Sequence, residues 1–233
     1  MTVFRDITFL AAGPARERSR SATEDAVVAG FADIHDAPFG QLLRWWHGDD
    51  PPPPGFGEGF CDEVAYGLTR HRPDGVAVLK RALSIGDEAH QAAALEFLAY
   101  PGLADDEVRA VLLQAFTSDR QDLRSRALWG FLHLAYYPIS EQQIRSLMEG
   151  EDDRMAASAM VYLSRSRPAD AVPILRAALS SPNPRMREYA CDEIGDRGID
   201  ALSARMVPLL GDQHADVAAA ARCNLEFFEE SPA

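Results

Sequence analysis

Lysine is almost missing from this chain. Lys80 is the single lysine among 23 basic residues, which face 36 acidic ones for a formal charge of −13. Phosphate affinity comes from clustered cations, so this balance excludes a general nucleic-acid binder. Cysteine is sparse as well. Cys61, Cys191 and Cys223 are odd in number, far apart and without a C-x-x-C spacing, which excludes a disulfide framework in a chain of 233 residues. No run approaches the roughly 18 apolar residues that a spanning helix needs, so no membrane partner is expected. The apolar stretch Ile7 to Ala12 is short and is followed, not preceded, by Arg16, Arg18 and Arg20. That is a poor secretory signal, and a cytoplasmic location is expected.

Catalytic patterns are missing too. The six histidines, His35, His47, His71, His90, His133 and His214, form no H-x-x-x-H pair, and the chain holds no His-Glu dipeptide. No metal site or cofactor is expected. Cys191 and Cys223 lack an obvious histidine partner for nucleophilic chemistry, and no Walker-type phosphate loop is present. Gly55-Phe-Gly-Glu-Gly59 is glycine-rich but follows polyproline rather than a strand. An enzyme is therefore the less favoured reading.

Valine, isoleucine and threonine number 25 together, whereas alanine and leucine number 60. β-branched residues suit pleated sheets, so this imbalance predicts a helical protein. Self-similarity supplies the architecture. Met186, Ala190 and Ile194 align with Val217, Ala221 and Leu225 at an offset of 31 residues. Stepping back gives Met155, Ala159 and Leu163, then Leu123, Ala127 and Phe131, then His90, Ala94 and Leu98, with Phe60, Val64 and Leu68 as a looser first unit. Anchors at 0, +4 and +8 share one helix face. A second apolar-periodic segment precedes each, such as Ile199 to Leu210, and turn-rich strings such as Ser180 to Pro184 lie between. Each unit is thus predicted to be a helical hairpin, and a train of hairpins an α-solenoid.

The pattern, clearest at Met186-Arg187-x-x-Ala190-x-x-x-Ile194, resembles the second helix of HEAT repeats, including the related bilin-lyase-type repeats. The resemblance covers about residues 38–229 and is most specific over 140–229. The arginine that usually follows the first anchor is present at Arg124 and Arg187, and is replaced by Gln91, Ala156 and Ala218; the usual turn aspartate appears only as Asp212. The expected fold is all-α, a solenoid of about six HEAT-like hairpins over 37–233, with 1–36 as an N-terminal cap containing a helix near 21–34.

Two regions are candidates for binding. Gly48-Asp-Asp-Pro51-Pro52-Pro53-Pro54-Gly-Phe56 reads either as an exposed polyproline II docking segment or as a stiff inter-helix loop. Before it, Trp45 and Trp46 point about 100° apart, so they cannot share one core direction. On the second helix of each hairpin, the +2 and +6 positions point away from the anchors. They include Tyr66, Glu96, Trp129, Val161, Glu188 and Asp192. The resemblance implies that this side lines a concave surface, which would be acidic with aromatic anchors. Such a surface suits a protein partner, a basic one included, held by a non-enzymatic adaptor or inhibitor. The alternative implied by the resemblance is a tetrapyrrole-handling or other small-molecule lyase or chaperone. His90, on an anchor position, is expected to be a buried structural residue.

Overall fold

Every described element is helical, and five of the helices start at a side-chain cap that their sequence supplies. The computed structural model describes residues 31–54, 56, 60–100, 102–150 and 152–230, without the side chains of 229 and 230. The chain forms two compact units, 1–75 and 76–233. The helix expected near 21–34 is described only from residue 31, and the remainder of the expected cap lies outside the described residues.

In the first unit a helical turn over 31–35 precedes α1 (Phe39–His47) and α2 (Phe60–Thr69). Helix α1 stops at Gly48, whose φ of 75° lets its N–H bond back to the carbonyls of Arg44 and Trp45. That left-handed conformation costs glycine little. Ile34, Leu42, Trp46, Val64 and Leu68 form the core. The tryptophan pair divides as its geometry requires: Trp46 is buried, while Trp45 is half-buried with its ring edge-on to Phe60 at 5.7 Å.

Helix α3 (Asp74–Ile85) crosses the division between the units. The second unit continues with α4 (Glu88–Leu98), α5 (Asp106–Phe116), α6 (Gln121–His133), α7 (Glu141–Met148), α8 (Asp153–Ser166), α9 (Ala171–Ala178), α10 (Pro184–Asp196), α11 (Ser203–Met206) and α12 (Ala215–Glu230). Helix α5 packs on α6, α7 on α8, α9 on α10, and α11 on α12. The second helices pack in file, α4 on α6, α6 on α8, α8 on α10 and α10 on α12. Asp87, Asp105, Asp152 and Asn183 accept backbone N–H bonds as N-caps, and Ser140 with Gln143 forms a capping box. The acidic strings at 105–107 and 149–153 thus contain the N-caps Asp105 and Asp152. Residues 199–210, expected as one helix, are instead a short α11 between two 3-10 segments, Asp200–Leu202 and Val207–Gly211. Pro208 supplies no N–H there.

The second and third anchors are buried almost throughout. Ala94, Leu98, Ala127, Phe131, Ala159, Leu163, Ala190 and Ile194 are each at most 1% exposed. In α12 the buried pair is Val217 and Ala221, and Leu225 is half-buried. His90 is half-buried rather than buried, with Nδ1 2.6 Å from the carboxylate of its own cap, Asp87. Helix α8 is buried at every position from Met155 to Ser164. A helix enclosed on all sides is flanked by neighbours on both sides of the file.

One seam between turns is closed by charge. Arg187 donates from Nε and Nη2 to both oxygens of Asp212, at 2.8 and 2.9 Å, and from Nη1 to the carbonyls of Ser181 and Pro182. The two side chains are 10% and 7% exposed. The Arg187 hydrogen bonds hold the Asp212 carboxyl below the usual carboxylate range.

Candidate functional site

The six residues expected on one binding surface are divided between the two units. Tyr66 belongs to the first unit, where its ring lies 4.5 Å from that of His35. His35 Nε2 in turn meets Glu63 Oε2 at 2.5 Å. The other five lie in the second unit. Glu96 is half-buried and ion-paired with Arg126. Asp192 is half-buried and accepts from Asn224 Nδ2 at 3.2 Å. Val161 is 1% exposed and Glu188 3%, with Glu188 held by Arg185 at 2.7 Å. Neither is positioned to meet a partner. A single-helix wheel points both away from the core, but neighbours on either side of α8 and α10 enclose them.

Trp129 explains why. Its ring meets Tyr189 edge-on with centroids 5.9 Å apart, so side chains from α6 and α10 join across α8. Trp129 is half-buried and Tyr189 8% exposed. The Trp129 ring also approaches His133 at 6.4 Å, and His133 approaches Tyr100 at 5.4 Å. The result is an aromatic band over three successive second helices and the end of α4.

An open hollow of about 370 Å³ is lined by Tyr137, Arg165, Asp196 and Arg197. Arg165 donates from Nε and Nη2 to the buried Glu193, and Arg197 donates to the Ser164 carbonyl at 3.3 Å. His133 opens to solvent on one side, yet crowding by protein, followed by the Arg165 charge, lowers its pKa. Desolvation, then repulsion from Glu193 and Asp192, raises the pKa of Asp196. Sequence reasoning missed these residues because the wheel stopped at +8. Ten positions after the first anchors His90, Leu123, Met155 and Met186 stand Tyr100, His133, Arg165 and Asp196. The same periodicity, carried two residues further, finds them.

The polyproline segment is pinned at both ends. Gln41 Nε2 and Arg44 Nε each reach Asp50 Oδ2 at 2.9 Å, before the run. After it, Phe56 packs edge-on to Phe31 at 5.3 Å and near Phe60 at 5.9 Å, and its N–H bonds the Pro53 carbonyl. Pro51, Pro52 and Pro54 are exposed, Pro53 and Phe56 half-buried. Phe56 is thus committed to packing rather than displayed.

Nucleophilic chemistry at Cys191 is disfavoured: the thiol is buried and its pKa is pushed up to about 12, chiefly by desolvation. Among the described residues no group of three or more metal-ligating side chains converges, and no helix is long and apolar enough to cross a membrane. No protein-family model matches the chain, and no curated protein matches it.

Proposed function

We propose that the protein is a non-enzymatic binding scaffold, a HEAT-like α-solenoid that holds a partner protein against the ends of its second helices. One observation carries this reading. Tyr100, His133, Arg165 and Asp196 occur at spacings of 33, 32 and 31 residues; ring contacts join Tyr100 and His133 to the Trp129–Tyr189 band, and Arg165, whose charge acts on His133, lines one hollow with Asp196. Aromatic side chains within a polar surround are what protein interfaces use as anchors. The charge of −13 steers such a surface toward a basic partner.

The test is affinity capture from the native host with wild type and Trp129→Ala, each first shown by circular dichroism to be folded. A protein retained by wild type and lost by Trp129→Ala supports the reading. A protein retained equally by both places the interface elsewhere. Colour or a co-purifying small molecule, with no protein, favours the ligand-handling alternative of the bilin-lyase type instead.

A further inference from the structure

Arg187 shows how this fold binds a guanidinium between two successive turns: two turn carbonyls on one side and a carboxylate from the next turn on the other. One repeat earlier, at the same offset of 31, Arg187 corresponds to Ala156, Ser181 to Gly150, and Asp212 to Ser181. Both halves of the buried pair are therefore replaced by small residues. The seam at that level is bridged instead by Asn183, whose Nδ2 donates to the Asp153 carbonyl at 3.0 Å. An open cleft of about 590 Å³ lies there.

The lining of the cleft suits the missing side chain. Met148 and Met186, with Pro182, offer an apolar path of the kind that an arginine stem covers. Glu149 and Asp153 stand at the rim, exposed, and neither has an ion-pair partner among the described residues. The rim cation Arg145 is already held by Glu141 at 2.8 Å. The helix-end donors that would favour an anion are occupied: Asp152 accepts from Arg154 and Met155, and Asn183 from Arg185 and Met186.

We propose that this cleft is a receptor for an arginine side chain presented by a partner protein, in the seam that Arg187 fills from within one repeat later. The inference does not depend on the aromatic band, which lies on other residues.

The test follows backbone amides of the full chain by NMR during titration with N-acetyl-arginine amide, with the citrulline analogue as a neutral isostere. The expected result is saturable shifts at Gly150 and Asn183 with affinity in the millimolar range, and none with citrulline. Glu149→Gln combined with Asp153→Asn, both at exposed positions, should weaken binding by about fivefold or more, while Trp129→Ala leaves it unchanged. Ala156→Arg, if folded, should block binding by filling the seam. Equal shifts with citrulline, shifts with acetate in place of the arginine compound, or indifference to the double variant would each overturn the proposal. Retained capture of a Trp129-dependent partner alongside any of these would show that this inference alone had failed.

Discussion

At the scale of single residues, buried charge concentrates its effect at Arg187 and Asp212. Removing one partner strands the other in the seam, so Asp212→Ala should cost about 3 kcal/mol in urea unfolding. The pair also fixes a pH dependence. The carboxyl of Asp212 titrates lower in the folded chain than its ordinary 3.8. Its contribution is therefore complete above that ordinary value and is lost as pH falls through the folded one. Urea midpoints of wild type and Asp212→Asn should differ at neutral pH and draw together in acid; a gap that widens on acidification would exclude this linkage. Arg124, at the position in α6 that Arg187 holds in α10, presents the opposite case. Its Nε is buried without a hydrogen bond, and the residue aligned with Asp212 is Gly150. Gly150→Asp should raise the melting temperature, by a gain of about 1 kcal/mol, if it satisfies that nitrogen. A Cβ there would lie 3.3 Å from the Leu147 carbonyl oxygen, so the turn must yield only slightly. An unchanged or lowered melting temperature would show that the new carboxylate does not reach Arg124.

Between elements, α10 lies close against α12 at Gly195. A Cβ at Gly195 would stand 1.8 Å from Asn224 Oδ1 and 2.9 Å from its Cβ, so no small side-chain rotation clears it. Asn224 is 8% exposed and bonds both Asp192 and the Ala220 carbonyl. Gly195→Ala should therefore destabilise by about 2 kcal/mol and release Asn224 from Asp192, visible as a shifted Asn224 side-chain amide resonance. A neutral substitution would mean that the two helices separate easily. At this scale the sequence was largely legible. Anchors at +4 and +8 predicted the buried stripe of α4, α6, α8 and α10 because helical periodicity depends on one chain segment alone. The fate of the opposite face depends on neighbours about thirty residues away, which one wheel does not contain. That is why Val161 and Glu188 were expected at a surface and lie inside, and why Trp129 reaches Tyr189 across α8. Residues 199–210 failed for a local reason: their apolar periodicity ignored Pro208.

For the molecule as a whole, charge decides how it meets a partner more than how it folds. An excess of 13 negative charges gives long-range attraction that salt screens over about 8 Å at physiological ionic strength. Association with a basic partner should slow as salt is added, with dissociation little changed in stopped-flow or surface-capture measurements; a salt-independent association rate would argue against electrostatic steering. The candidate site was only half readable at this level. Trp129 was found from its outward position, while Tyr100, His133, Arg165 and Asp196 required following each helix to its last turn. The polyproline run allowed either an exposed docking segment or a stiff loop; Pro51, Pro52 and Pro54 are exposed, but nothing local to the run indicated that Phe56 would be drawn onto Phe31 and Phe60.

The unbroken burial of α8 from Met155 to Ser164 has a consequence in time. Side-chain bonds join neighbouring helices of the file, as Arg126 joins Glu96, Arg165 joins Glu193 and Asn224 joins Asp192, so α8 is held from both sides. Amide protons of α8 should consequently be the last in the second unit to exchange with deuterium, and those of α12 among the earlier, because α8 opens only after the helices around it have let go.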